Sequence, residues 1–187
     1  MKDKIAQLFK CQLEKIKDDA LRSKVVEVWA NTAETGGWAE DELEEIPFTL
    51  LTDTKGINLI EHTIAVTEGA VGLANAMKVN YREMPFEIDF DFLIAGGLLH
   101  DVGKLLETEK VGNKYQKSRR GKFARHPISG AIMVAKVGLP DELVNIVACH
   151  AKEGEGAPQR IETVLIHQAD FATFNPLVML EKGVLIT

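Results

Sequence analysis

The segment FDFLIAGGLLHDVGKLL, Phe90–Leu106, decides how this chain is read. Within it Phe92–Leu99 is the longest uninterrupted apolar run, eight residues, well short of the ~20 that a membrane span needs. A run apolar on every face and without alternation predicts a helix, Phe90 to Leu106, through the centre of a soluble domain. Gly96-Gly97 lowers its intrinsic propensity and lets a neighbouring helix come close. Toward its C-terminal end the helix carries two polar residues side by side, His100 and Asp101.

Amphipathic helices surround this segment in sequence. Ile5, Leu8, Phe9, Leu13 and Ile16 recur at helical spacing, and after a cap at Asp18 or Asp19 the pattern resumes with Leu21, Val25, Val28, Trp29 and Thr32. These are two N-terminal helices, the second stopped by Gly36-Gly37. The acidic stretch from there to about Asn58 reads as irregular, with room for one short helix. A further helix runs from Leu59 to about Asn80, with His62 in its first turn. After the central segment a loop containing Gly112 and Gly121 leads to His126. Pro127 suits the first turn of a helix to about Val137, and Pro140 with Asp141 opens another that ends near His150. The Gly-rich loop Glu153–Pro158 precedes a last helix through Ile161, Val164, Leu165, Gln168 and Phe171. No alternating pattern exceeds four residues outside the tail Gly183–Thr187, so the expected fold is all-α.

Composition bounds the alternatives. With 187 residues, 45% hydrophobic, 27% charged and 6% aromatic, the chain is neither disordered, collagen-like nor a disulfide scaffold. The N-terminus breaks its apolar residues with charges and lacks a secretory stretch, so a cytoplasmic location is expected. Cys11 and Cys149 are not expected to pair. The net charge is −6, yet Lys110, Lys114, Lys117, Arg119, Arg120, Lys122 and Arg125 fall in one segment that holds no acid. Duplex nucleic acid wants a broad positive face, so a concentrated patch points instead to a small anionic ligand; the plainer alternative is a solvated loop balancing Glu40, Asp41, Glu42, Glu44 and Glu45.

The chemistry resides in imidazoles and carboxylates. His62, His100, Asp101, His126, His150 and Asp170 lie at or near helix ends or on helices, and with thiolates nearly absent this donor set suits divalent Mn, Fe, Co, Ni or Zn. Asp has a further use, because its two oxygens can bind two different ions. Taken singly, each histidine has an ordinary explanation as a packed core residue.

Taken in order, His62, then His100-Asp101 within LLHDVGK, then Asp170 within IHQADF resemble the HD superfamily of metal-dependent phosphohydrolases. The resemblance covers about Asn58 to Thr173 and implies an HD-domain helical bundle. It makes His62, His100, Asp101 and Asp170 the ligands of a first ion, with Asp101 as bridge. His126 and His150 are similar to the histidines that hold a second ion in the two-metal branch. The implied activity is hydrolysis of a phosphate ester, a nucleotide or cyclic (di)nucleotide, by a hydroxide activated between two divalent ions. Asp101 and Lys104 are the implied catalytic residues. Lys104 resembles the lysine of the HDxGK motif, whose ammonium holds a phosphate oxygen, and Arg119, Arg120, Lys122 and Arg125 are expected to bind substrate with it.

The stretch RHPISGAIMVAKVGLPDELVNIVACH is similar to the HD-GYP subgroup, which cleaves cyclic di-GMP. It departs where Cys149 replaces a histidine and EGEGAP lacks the tyrosine, which turns the expectation away from cyclic di-GMP. The other readings are an HD-type nucleotide-binding regulatory module without turnover, and oxygenase chemistry at a di-iron centre. Residues 1–57 are expected to form a helical extension on a core of 58–175, with 176–187 as a tail. The expected partners are a small phosphorylated substrate and a second copy in a homodimer, with no duplex nucleic acid and no membrane.

Overall fold

The computed structural model describes residues 1–186. Among the described residues the regular structure is helical except for one small hairpin, and the longest irregular stretch is 38–58. Its elements are α1 (Lys2–Leu8), α2 (Lys10–Leu13), α3 (Asp19–Gly36), α4 (Leu59–Asn80), α5 (Phe90–Leu99), α6 (Lys104–Glu107), β1 (Thr108–Val111), β2 (Lys114–Lys117), α7 (His126–Lys136), α8 (Asp141–Cys149) and α9 (Ile161–Glu181). No helix among the described residues is long and apolar enough to cross a membrane.

Local chemistry sets the helix starts. Asp18 accepts hydrogen bonds from the backbone N–H groups of Ala20 and Leu21, and Asp89 accepts one from Phe92. Asn58 and Glu61 form a reciprocal capping box that opens α4 four residues before His62. Helix α5 is the axis, with Leu93 to Leu99 all buried and packed by α3, α4, α8 and α9. Its two glycines are where neighbours come closest. A Cβ on Gly96 would lie 2.7 Å from Ile146 Cγ2, and one on Gly97 would lie 2.8 Å from Thr67 Oγ1.

The structure corrects four expectations. The first N-terminal helix is split at Phe9, whose backbone (φ −105°, ψ 16°) turns to seat its ring 4.9 Å from that of Trp29. The central helix does not continue to Leu106. It ends at Leu99, and the HDVG residues follow as a tighter turn in which Val102 N–H bonds to Leu99 O and Lys104 N–H to Asp101 O. Packing is tight at the far end of this turn: a Cβ on Gly103 would lie 2.1 Å from His126 O and 2.7 Å from Gly130 N. Leu98 O is left by the turn without its helical donor and accepts instead from the indole N–H of Trp29 at 2.8 Å, while Leu105 O accepts from Trp38 at 2.7 Å.

The basic segment is likewise not one irregular loop. Strands β1 and β2 pair antiparallel, Thr108 opposite Lys117 and Val111 opposite Lys114, followed by a 3-10 turn, Arg120–Lys122. At the other end α9 runs through Pro176 to Glu181 rather than stopping at the tail. Residues 184–186 form no strand, and Thr187 lies outside the described residues. The acidic stretch holds no helix, yet Leu43, Ile46 and Phe48 drop from it into the core.

Candidate metal centre

Four histidines converge on one buried carboxylate. His62 comes from the first turn of α4, His100 and Asp101 from the turn after α5, His126 from the start of α7 and His150 from the end of α8; Asp170 lies midway along α9. His62 Nε2 stands 3.3 Å from Asp101 Oδ2 and 3.2 Å from Asp170 Oδ1, and His100 Nε2 is 3.4 Å from Asp101 Oδ2. His126 Nε2 and His150 Nε2 approach the other oxygen, Asp101 Oδ1, at 3.3 and 3.7 Å. The donors therefore fall into two groups, His62, His100 and Asp170 in one, and Asp101, His126 and His150 in the other. Asp101 turns one oxygen toward each.

The remaining ring nitrogens fix the tautomers. His100 Nδ1 faces Gly97 O at 2.7 Å and His150 Nδ1 faces Val147 O at 2.8 Å. A carbonyl only accepts, so both Nδ1 atoms carry the proton. Thr173 Oγ1 donates to Asp170 O, which leaves its oxygen to accept from His62 Nδ1 at 3.4 Å. His126 Nδ1 meets Glu107 Oε2 at 2.7 Å. Each Nε2 lone pair is left pointing inward, which is how a ligating imidazole is held.

That arrangement is the test of whether a cation fits. His62 Nε2, His100 Nε2, His150 Nε2 and Asp101 Oδ1 are buried with no hydrogen-bond partner, while the buried Asp101 Oδ2 meets the Lys104 ammonium. Acceptors facing acceptors in a dry interior are costly unless positive charge lies between them. Part of that charge comes from the chain itself. Burial pushes Asp101 up, but the Lys104 ammonium, 2.5 Å from Oδ2, together with the rings of His100 and His126 holds it well below the usual carboxylate range. For His62 burial favours the neutral ring, while the Asp101 and Asp170 carboxylates beside its Nε2 outweigh that and raise it. Asp170, resisted by burial and held by His62, is lowered to about 2.

Glu107 is a participant that sequence reasoning missed. Its Oε2 accepts from both the backbone N–H and the Nδ1–H of His126, each at 2.7 Å, and Lys117 pairs with Oε1 at 3.1 Å. Burial opposes the charge, but these partners lower Glu107 to about 2, while burial lowers His126 to about 4, keeping a neutral ring against a charged carboxylate. The only hint in sequence was an acid three residues after Lys104, just ahead of the basic segment. Phe48, from the acidic stretch, stacks on His62 at 4.2 Å and lies under Lys104, whose Nζ is 5.5 Å from its centroid.

The basic residues divide. Lys110 is engaged with Glu42 and Glu45, and Lys117 with Glu107. Arg125 pairs with Glu153 at 2.7 Å. Arg119, Arg120 and Lys122 are exposed and enter no ion pair found among the described residues. His167 donates from Nδ1 to His150 O at 2.6 Å and lies outside both donor groups. Cys149 stays outside both groups, and burial pushes its thiol up.

Comparison with known proteins shows the family. Residues 59–171 match the HD domain family, and the chain belongs to it. It is 32% identical over 173 residues to a dihydroneopterin 2',3'-cyclic phosphate phosphodiesterase of Methanocaldococcus jannaschii, covering 85% of this chain and 65% of that protein. It is 30% identical over 115 residues to ribonuclease Y of Pseudothermotoga lettingae and 28% identical over the same length to that of Thermotoga maritima, in both cases 62% of this chain and 18% of the relative. No solved structure matches the chain significantly.

Proposed function

We propose that the protein is a divalent-metal-dependent phosphohydrolase of a small phosphate ester, with a cyclic phosphodiester of a nucleotide-like molecule as the substrate class. The observation that carries this reading is the convergence of four Nε2 lone pairs on Asp101, with Asp170 beside them. Imidazole and carboxylate donors without thiolate suit Mn, Fe, Co, Ni or Zn, and the division of Asp101 between two donor groups supports two ions. Divalent cations held there would lower the pKa of a coordinated water and neutralise charge on phosphoryl oxygens.

The chain's own residues do the rest. Asp101, His62, His100 and Asp170 form one donor set, and Asp101, His126 and His150 the other. Both carboxylates are held low, so at neutral pH they serve as ligands rather than as proton acceptors. Lys104, 15% exposed at the side chain, is placed to transfer its ammonium from Asp101 to a phosphate oxygen. Arg119, Arg120 and Lys122 are free to bind further oxygens bidentately or singly, whereas Arg125 would first have to leave Glu153. The hydrolase core is taken as residues 58–175, with 1–57 as an extension on it and 176–187 as a tail. The named activity of the archaeal relative favours a 2',3'-cyclic phosphate.

The test is to load purified protein with Mn, Co, Ni or Fe and follow phosphomonoesters, 2',3'- and 3',5'-cyclic nucleotides and cyclic dinucleotides by phosphorus NMR. Metal-dependent turnover that stops with chelator supports the proposal. Tight nucleotide binding without product in every metal would establish a binding module instead.

A further inference from the structure

The most exposed aromatic ring among the described residues is Phe123, 83% exposed, just after the 3-10 turn Arg120–Lys122. Arg119, Arg120, Phe123 and Ala124 line a surface cavity of about 460 Å³. The Arg119 guanidinium carbon stands 6.0 Å from the Phe123 ring centroid. A large apolar ring held in water at one fixed place, flanked by cations without acidic partners, calls for a ligand that is both flat and anionic.

The turn is firmly seated and close to the metal centre. Gly121 N–H donates to Ser118 Oγ at 2.9 Å, and Ser118 Oγ donates to Leu106 O at 2.6 Å. The N–H groups of Phe123 and Ala124 both bond to Arg120 O at 3.0 Å. A Cβ on Gly121 would lie 2.5 Å from the carbonyl oxygen of Glu107, the residue that holds His126. Phe123 is three residues from His126, and three residues of chain span at most ~11 Å. The Cα atoms of Phe123 and His126 therefore lie within ~11 Å of each other, a span that one nucleotide-sized ester covers.

We propose that Phe123 with Arg119 and Arg120 is the subsite for the planar heteroaromatic ring of the substrate, a nucleobase or a ring of similar size, a proposal that rests on the phosphohydrolase reading above. The ring stacks on Phe123, an interaction that tolerates many bases because each presents a π-face. Arg119 closes over the stack, and Arg120 takes an additional oxygen. A single ring beside the Arg119 guanidinium, in a cavity that Arg120 also lines, is matched to one small planar molecule; a protein partner would want a much larger apolar patch.

The experiment compares Phe123→Ala and Phe123→Trp with wild-type protein, all metal-loaded, on adenosine 2',3'-cyclic phosphate and on glycerol 1,2-cyclic phosphate, which has no ring. Binding of adenosine 2'-monophosphate is measured in parallel by calorimetry. Phe123→Ala is expected to raise KM for the adenosine ester and weaken monophosphate binding about tenfold, the effect of losing one base stack. The kcat, the metal content and KM for the glycerol ester stay unchanged, and Phe123→Trp restores the loss. If KM and monophosphate binding are the same in Phe123→Ala and wild type, or if both esters suffer equally, the subsite is refuted while the hydrolase reading stands. If neither ester is hydrolysed yet monophosphate binding still depends on Phe123, the subsite survives and the hydrolase reading falls. Absence of monophosphate binding by wild-type protein overturns the subsite outright.

Discussion

Glu107 grips His126 twice, accepting from its backbone N–H and its ring Nδ1–H at the same distance, 2.7 Å. One carboxylate thus fixes where α7 begins and which nitrogen of its first ring faces Asp101. Removing such a support from a ligating histidine costs 10–100-fold in metal affinity in other systems. Glu107→Gln should lower the affinity of the Asp101/His126/His150 group by about that factor, leaving the His62/His100/Asp170 group nearly intact. Competition titration with a chelating dye reads both; equal loss at the two would show that Glu107 acts only on general stability.

Asp101 serves both donor groups, so its removal should differ in kind from removal of a histidine. Asp101→Ala is expected to strip all bound metal, and His126→Ala or His150→Ala about one ion of two. Elemental analysis of fully loaded protein decides it. A wild-type value that never exceeds one ion per chain would refute the two-ion proposal.

The pH dependence of the metal-free protein follows from His126 and Glu107. His126 is lowered from 6.5 to about 4, chiefly by burial; the unfolded chain therefore binds a proton more readily, and stability falls as pH drops from 6.5 to 4. Glu107, lowered from 4.5 to about 2, adds stability that is lost as pH falls from 4.5 toward 2. Each loss is up to about 3 kcal/mol. His62 is raised and acts in the opposite sense, its contribution fading as pH rises through its folded value. Urea unfolding across pH should show His126→Asn flattening the upper window and Glu107→Gln the lower; unchanged slopes would contradict the assignment.

Arg119, Arg120 and Lys122 lack acidic partners, so their effect on an anionic substrate should be electrostatic. The triple alanine variant is expected to raise KM for a charged nucleotide several-fold at low salt, with the gap closing as salt rises because screening acts over about 8 Å at physiological ionic strength. Metal content should not change. Identical kinetics at low salt would return the segment to a solvated turn.

The donor residues were legible because their chemistry is tied to residue type and order: His62, HD in an apolar segment, His126 ahead of a proline, His150 at a helix end, Asp170 on the last helix. What was not legible depends on contacts between segments. The turn that follows Phe90–Leu99 seats Gly103 against His126 O, a contact with a residue 23 positions downstream that no local pattern carries. Glu107 looked like any surface acid until α7 was laid against it. The hairpin Thr108–Lys117 has strands of only four residues, too short for periodicity to register. Three of the seven basic residues proved to be paired with acids, and of these only Lys110 with the acidic stretch that the charge-balancing alternative named.

The bond from Trp29 to Leu98 O bears on how this protein can be inherited and rearranged. The carbonyl it occupies exists as a vacancy only because the helix breaks to present His100 and Asp101, so the N-terminal helices act as a plug cut for that break. A recombination that transplanted residues 58–175 alone would carry the His/Asp donors but uncover Leu98 O and Leu105 O together with the apolar surface that Trp29 and Trp38 close over. The donor groups and the N-terminal helices are therefore coupled in folding: a stretch that supplies no donor closes the break that presents them.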